Sequence, residues 1–190
     1  MIAVIAPLRK AKVQFALVGG MAVSYRTVER FTKDVDLALA VESDEEAERA
    51  VRDVREAGYS IEMVLEQTAA DRLSTIRMVP LNDKEMFVDL LFASSGIEHE
   101  VVASATDAEI APALAVPVAT IPALIALKVL SADWKTRPQD ILDLQHLISS
   151  AVSTQIDESR HLLDLITERG FNRTKDLQSE LDGYIERFAE

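Results

Sequence analysis

Two aspartates separated by one residue, Asp34 and Asp36, constrain the fold of this chain more than any other feature. They lie in residues 32–39 (TKDVDLAL), whose apolar positions predict a strand. Side chains at i and i+2 of a strand point to the same face, so both carboxylates are expected on one side of a sheet. A buried strand gains nothing from two like charges that lose their hydration without gaining a partner. The pair therefore predicts a site for a divalent cation such as magnesium.

A glycine pair lies shortly before the aspartates. Residues 15–25 (FALVGGMAVSY) predict an apolar strand, then Gly19 and Gly20, then the beginning of a helix. Glycines let backbone N–H groups approach an anion closely, and the positive end of the following helix favours negative charge. Alone, a glycine pair is more typical of a plain strand-to-helix turn. Because an Asp-x-Asp strand follows, it predicts a phosphate cradle with Gly19 and Gly20 as backbone donors.

The chain predicts strands first and helices later, which is typical of an α+β fold. A capping box at Ser43 begins a helix that ends before Gly58. Further strands are predicted at 60–65, 74–79 and 86–92, the last two as an antiparallel hairpin around a turn at 80–84. From about Pro112 the pattern changes to helices, predicted at 122–132, 138–150, 157–169 and 175–188. We expect a core of residues 1–112 and a helical C-terminal region of residues 113–190 packed on it.

Asp89 and Lys128 are isolated charges in apolar segments. Asp89 interrupts a strand of large apolar residues, so burial leaves its charge unexplained and makes it the natural third carboxylate. Lys128 lies in residues 123–130 (ALIALKVL), which are apolar around nearly the whole helix. Its ammonium either reaches water past an apolar stem or points to a triphosphate. We favour the second interpretation because an unpaired buried charge is costly.

Asp140 also has two interpretations. It lies in the first turn after Pro138, where an acid commonly complements the helix dipole. Alternatively, it orients Lys128 or Arg137, which would make Arg137 and Asp140 part of the same site.

Composition limits the class of protein. The 190 residues contain no cysteine, which excludes disulfides and thiolate metal sites and predicts a reducing cytoplasm. No segment predicts a membrane span, and the histidines lack the spacing of a zinc site. The net charge of −12 argues against a broadly basic surface for nucleic acid. A local basic cluster would have to hold any RNA, and its best candidates are Arg9, Lys10, Lys12, Arg26 and Arg30.

These motifs resemble nucleotidyltransferases of the DNA polymerase beta type, in particular the small bacterial group related to abortive-infection and toxin–antitoxin nucleotidyltransferases. The similarity covers most of the chain and rests on residues 17–22 (LVGGMA), Arg30 with 32–37 (TKDVDL), 88–91 (VDLL), 127–128 (LK) and 137–144 (RPQDILDL). It implies a mixed sheet flanked by helices, an NTP substrate and magnesium, or manganese in its place. Asp34, Asp36 and Asp89 are the implied metal ligands. Two positions depart from the family pattern: Gly20 replaces a frequent serine, and Gln139 replaces a frequent basic residue.

Together these features predict an enzyme that moves a nucleotide from an NTP to a hydroxyl acceptor, which is RNA, protein or a small molecule. By the resemblance, Asp89 lies nearest the acceptor hydroxyl and takes its proton. The enzyme would be the toxin-like member of a two-gene system with a partner protein. The alternative is a regulatory module that binds nucleotide with little turnover. A structural protein with merely solvated acids is a third possibility, against which three strand carboxylates argue.

Overall fold

The structure is a computed structural model that describes residues 2–67, 72–83 and 85–188. The strands are β1 (Gln14–Val18), β2 (Val35–Ala40), β3 (Tyr59–Gln67), β4 (Arg72–Pro80), β5 (Val88–Leu91), β6 (Thr106–Ala111) and β7 (Leu114–Val118). The helices are α1 (Ile2–Lys10), α2 (Gly19–Arg26), α3 (Asp44–Glu56), α4 (Glu98–Ser104), α5 (Ile121–Ser131), α6 (Pro138–Ser150), α7 (Ser153–Glu168) and α8 (Leu177–Phe188).

The seven strands form one mixed sheet in the order β3-β4-β5-β2-β1-β7-β6. The pairs β2–β5 and β1–β7 are parallel, whereas the other neighbours are antiparallel. With its helices and its helical C-terminal region, this is the α+β architecture that the sequence predicted.

The strand β2 alternates between a fully buried face and the face that carries Asp36. Its residues Val35, Leu37 and Leu39 are each 0% exposed. Because strand side chains alternate, Asp36 projects to the opposite face, where it is only partly buried. The apolar pattern thus fixes the direction of the carboxylate.

The register across the centre of the sheet places four residues in one row. Val18 on β1 lies opposite Asp36 on β2, Asp36 is the partner of Asp89 on β5, and Asp89 is the partner of Arg77 on β4. Neighbouring strands lie about 4.8 Å apart, so these side chains are close on a single face. The row joins the aspartate strand to the predicted hairpin.

The helix α5 is apolar on almost every side and is buried among other helices. Ala123, Ile125 and Ala126 are fully buried, and α5 contacts α6, α7 and α8. Lys128 is the charged residue in its sequence. The C-terminal helices therefore surround a lysine that has little access to water. No helix in the described ranges is long and apolar enough to cross a membrane.

Several predicted elements are confirmed. The helix α3 begins after Ser43, whose hydroxyl accepts the N–H of Glu46 at 3.4 Å. The carboxylate of Glu46 accepts the N–H of Glu42 at 2.9 Å. The strands β4 and β5 pair as the predicted antiparallel hairpin. The turn was predicted at 80–84, and in the structure it begins directly after Pro80, the last residue of β4. Lys84, the last residue of the predicted turn, lies outside the described residues.

The prediction that only helices follow Pro112 is wrong. The strand β7 occupies Leu114–Val118 and pairs with both β1 and β6. Pro117 within β7, and the acids Asp107 and Glu109 within β6, weaken the local strand pattern, whereas pairing within the sheet stabilises both strands. The division into residues 1–112 and 113–190 stays a prediction, with β7 on its C-terminal side.

Candidate active site

Asp36 and Asp89 line one cavity of about 340 Å³. Burial, and then the negative charges of Asp89 and Asp34, raise the pKa of Asp36 to about 6 against the opposing effect of Lys128 and Arg77. Ionised Asp36 is thus disfavoured by its surroundings in the absence of an added cation. The cavity thus brings together two of the three carboxyl groups that the sequence singled out.

Gly19 fits closely against this pair. Its φ is +64°, and a Cβ atom at this position would lie 1.9 Å from Oδ2 of Asp36. A side chain is therefore excluded both by backbone conformation and by contact with the carboxylate. The helix α2 begins at Gly19, and no described side chain caps its N-terminus. Its first N–H groups thus suit an anion, as a phosphate cradle requires.

Gly20 makes room for a different group. A Cβ atom there would lie 2.4 Å from a terminal nitrogen of Arg30. Arg30 in turn binds the fully buried Asp143 through two contacts, of 2.8 Å from Nε and 2.9 Å from Nη2. Gly20 does not line the cavity, so its predicted contact with a phosphate stays a prediction. In the structure, Gly20 leaves room for the side chain of Arg30, which pairs with Asp143.

Arg77 is the main residue of the cavity that sequence reasoning missed. Its Nε and Nη2 atoms donate to the two oxygens of Asp89 at 2.8 and 2.6 Å. Hydrogen bonding to Asp89 raises the pKa of Arg77, which stays charged. The signal was present, because Arg77 is a lone cation in a predicted strand that pairs with the strand of Asp89. Both oxygens of Asp89 are consequently engaged.

The three predicted metal ligands are not assembled into one cluster. Asp34 precedes β2, is partly exposed and does not line the cavity, although its charge acts on Asp36. Within the described ranges, no three His, Cys, Asp or Glu side chains lie together as a metal-binding group. The structure thus brings Asp36 and Asp89 together and leaves Asp34 apart. Their assignment as ligands stays a prediction.

Lys128 is held by two carboxylates. Its ammonium lies 2.5 Å from Oδ1 of Asp140 and 2.7 Å from Oδ2 of Asp143. The side chain of Lys128 is 11% exposed and that of Asp143 is 0% exposed. Asp140 also accepts from Ser131 at 2.9 Å and lies 3.4 Å from Nε of Arg137. Asp140 therefore contacts both Lys128 and Arg137, as the second interpretation requires, while a role in binding nucleotide stays a prediction.

Three of the five candidate RNA-binding cations contact the protein itself. Arg30 binds Asp143, Arg26 donates to the carbonyls of Val118 and Ala119, and Arg9 donates to the carbonyl of Ala115. Sequence proximity had grouped them, but the fold directs these side chains to separate partners. Lys10 and Lys12 are exposed.

The fold is shared with solved structures of nucleotidyltransferases. An antigenic nucleotidyltransferase-like protein from Paracoccidioides brasiliensis is similar in structure, with a TM-score of 0.56, 15% identity, and coverage of 98% of this chain and 86% of that one. The lincosamide antibiotic adenylyltransferase LnuA, solved with lincomycin bound, gives a TM-score of 0.52 and 12% identity over 79% of this chain and 95% of that one. At such low identity these similarities show the shared fold.

The sequence identifies the family. No significant match was found among curated protein sequences. Residues 4–188 match the family described as nucleotidyl transferase AbiEii toxin, type IV toxin–antitoxin system. Because the match spans nearly the whole chain, the protein belongs to this family.

Proposed function

We propose that the protein transfers a nucleotide from an NTP to a hydroxyl acceptor, and that it acts as a toxin controlled by an antitoxin protein. The observation that carries this proposal is the pair of Asp36 and Asp89, adjacent on parallel strands and facing a cavity beside the Gly19 turn. Membership of a toxin family supports the partner. We expect the enzyme in the cytoplasm.

A magnesium ion, or manganese in its place, fits these carboxylates. Burial and neighbouring negative charges oppose ionisation of Asp36, and a divalent cation would relieve that repulsion. Carboxylate oxygens are the ligands that magnesium prefers. We assign Asp34, Asp36 and Asp89 as ligands, for which Asp89 must exchange its contacts with Arg77. When bound, the metal would promote attack by the hydroxyl and stabilise the leaving pyrophosphate.

The chain's own groups would position the reactants. The N–H groups at Gly19 and Gly20 and the N-terminus of α2 would receive phosphate oxygens. The acceptor oxygen attacks the α-phosphorus, the bond to the bridging oxygen breaks, and Asp89 takes the hydroxyl proton. Lys128, Arg137 and Asp140 line the same cavity, and we assign them to the triphosphate side. Because Lys128 is held by Asp140 and Asp143, its position is fixed before any ligand binds.

A second candidate function has one specific observation in its favour. Arg77 engages both oxygens of Asp89. If that pair persisted with nucleotide bound, Asp89 could neither bind metal nor take a proton. The protein would then be a regulatory module that binds nucleotide with little turnover.

Transfer of label decides between the two functions. The purified protein is incubated with magnesium and each α-labelled NTP in turn, together with total RNA, cell protein or a small-molecule cell extract. Label in RNA or in protein identifies both the donor and the class of acceptor, while Asp36→Asn should transfer none. Tight NTP binding by the wild type without transfer to RNA, protein or small molecules would support the regulatory module instead.

A further inference from the structure

The loop between α7 and α8 is held in an unusual backbone conformation at the cavity. Arg173 and Thr174 have φ values of +53° and +63°. This left-handed region is strained for a residue that carries a side chain. Such conformations persist where surrounding contacts impose them, and they cluster at ligand-binding sites.

Contacts with α5 and within the loop fix this conformation. The ammonium of Lys175 donates to the carbonyl of Ala132 at 2.7 Å, and the amide of Asn172 donates to the carbonyl of Lys175 at 2.9 Å. The guanidinium of Arg173 thereby lines the same cavity as Asp36 and Asp89.

Arg173 has no carboxylate partner among the described residues. Its terminal nitrogen donates to the carbonyl of Ser94 at 3.2 Å. The nearby Glu98 already accepts hydrogen bonds from the backbone and the hydroxyls of Ser94 and Ser95, all at one oxygen. Partial burial, and then the positive charge of Arg137, lower the pKa of Arg173 against the opposing effect of the negative charge of Glu98. The positively charged guanidinium groups of Arg137 and Arg173 thus repel each other, and both residues line the same cavity.

An anion between them would relieve this repulsion. The Nε atom of Arg137 lies 3.4 Å from a carboxylate oxygen of Asp140, and the side chain of Arg137 is 56% exposed. Guanidinium groups bind phosphate oxygens through paired N–H donors, which an ammonium cannot do. In the proposed function, Asp36 and Asp89 lie at the α-phosphate, where the reaction takes place. Arg137 and Arg173 are therefore available to bind the rest of the triphosphate.

We propose that Arg173, together with Arg137, binds the β- and γ-phosphates that leave as pyrophosphate. This inference rests on the proposed function, because it assigns a part of the same nucleotide site. It predicts that Arg173 discriminates triphosphates from monophosphates.

The test is calorimetric titration of the full chain, with magnesium, using the NTP that the wild type binds and the matching NMP. Arg173→Gln should weaken NTP binding by about 10- to 100-fold, the range expected for a lost hydrogen bond to a charged group. Binding of the NMP should not change. Arg52→Gln removes the same charge from an exposed position on α3, outside the cavity, and should change neither affinity.

Arg173→Lys keeps the test decisive if Arg173→Gln does not stay folded. It retains the charge but loses the paired donors, so NTP binding should weaken several-fold while NMP binding stays constant. Unchanged NTP affinity in the folded variants, or an equal loss for NTP and NMP, would overturn the inference while leaving the proposed function intact. A wild-type protein that binds no NTP would overturn both.

Discussion

Replacing Lys128 with alanine should destabilise the fold strongly. The change removes the ammonium that lies 2.5 Å from Asp140 and 2.7 Å from the fully buried Asp143. Removing one member of a buried ion pair costs about 3–5 kcal/mol, because a charge stays buried without its partner. Asp143 keeps Arg30, which favours the lower end of that range. In a chain of this size about 1 kcal/mol lowers the melting temperature by about 2–4 °C, so we expect a loss of at least about 6 °C.

Thermal unfolding followed by circular dichroism at pH 7.5 without nucleotide measures this loss. Lys33→Ala is the matched control, because Lys33 pairs with Glu85 at 2.7 Å but both side chains are more than half exposed. Exposed pairs contribute little, so the control should melt within about 2 °C of the wild type. If Lys128→Ala melted no lower than the control, the buried network would be refuted and the lysine would be a solvated one.

The difference in stability between the wild type and Lys128→Ala should depend on pH. Burial alone would raise the pKa of Asp143, but Lys128 and Arg30 outweigh it and hold that pKa below the ordinary value. A carboxyl with a lowered pKa stabilises the fold above its unfolded pKa and loses that contribution as the pH falls through its folded pKa. The difference between the wild type and Lys128→Ala should therefore shrink below about pH 4.

Three further predictions concern the cavity and the acceptor. The pKa of Asp36 is raised, so its contribution to stability should fall as the pH rises from about 4 to about 6; in EDTA, Asp36→Asn should melt several degrees above the wild type at pH 8 but not at pH 4. Equal melting curves at pH 8 would contradict the repulsion. Gly19→Ala should abolish label transfer, whereas Gly58→Ala, also at positive φ but with open space around its Cβ position, should retain it. If RNA is the acceptor, Lys10→Glu with Lys12→Glu should flatten the salt dependence of RNA transfer by roughly 0.7–0.9 in log–log slope per lost contact, measured from 50 to 200 mM salt. Transfer indifferent to both salt and these changes would indicate a protein or small-molecule acceptor.

Local patterns predicted the central part of the fold. The alternation around Asp36, the glycine turn before it and the capping box at Ser43 each depend on neighbours within a few residues. The hairpin of β4 and β5 followed from two apolar runs and a short turn. These features placed Asp36 and Asp89 on strands, whereas the pairing of those strands and their shared cavity come from the structure.

The rest depended on contacts between distant parts of the chain. Arg30 and Asp143 are 113 residues apart in sequence, and the parallel pairing that sets Asp36 beside Asp89 joins β2 to β5, which are not consecutive strands. The sequence near Arg173 has no catalytic motif. A strained loop and its contacts with α5 bring Arg173 to the cavity. Such ion pairs and loop positions leave no periodic signal.

Determining which phosphate of the donor NTP is transferred to the acceptor tests the central claim most directly. The wild-type protein, magnesium and the identified acceptor are incubated with the donor NTP labelled at either the α- or the γ-phosphate. Nucleotide transfer predicts α-label in the acceptor and γ-label in pyrophosphate, and neither product with Asp36→Asn. Gamma-label in the acceptor would show phosphoryl transfer instead, and undiminished α-label transfer by Asp36→Asn would contradict the role given to the strand carboxylates.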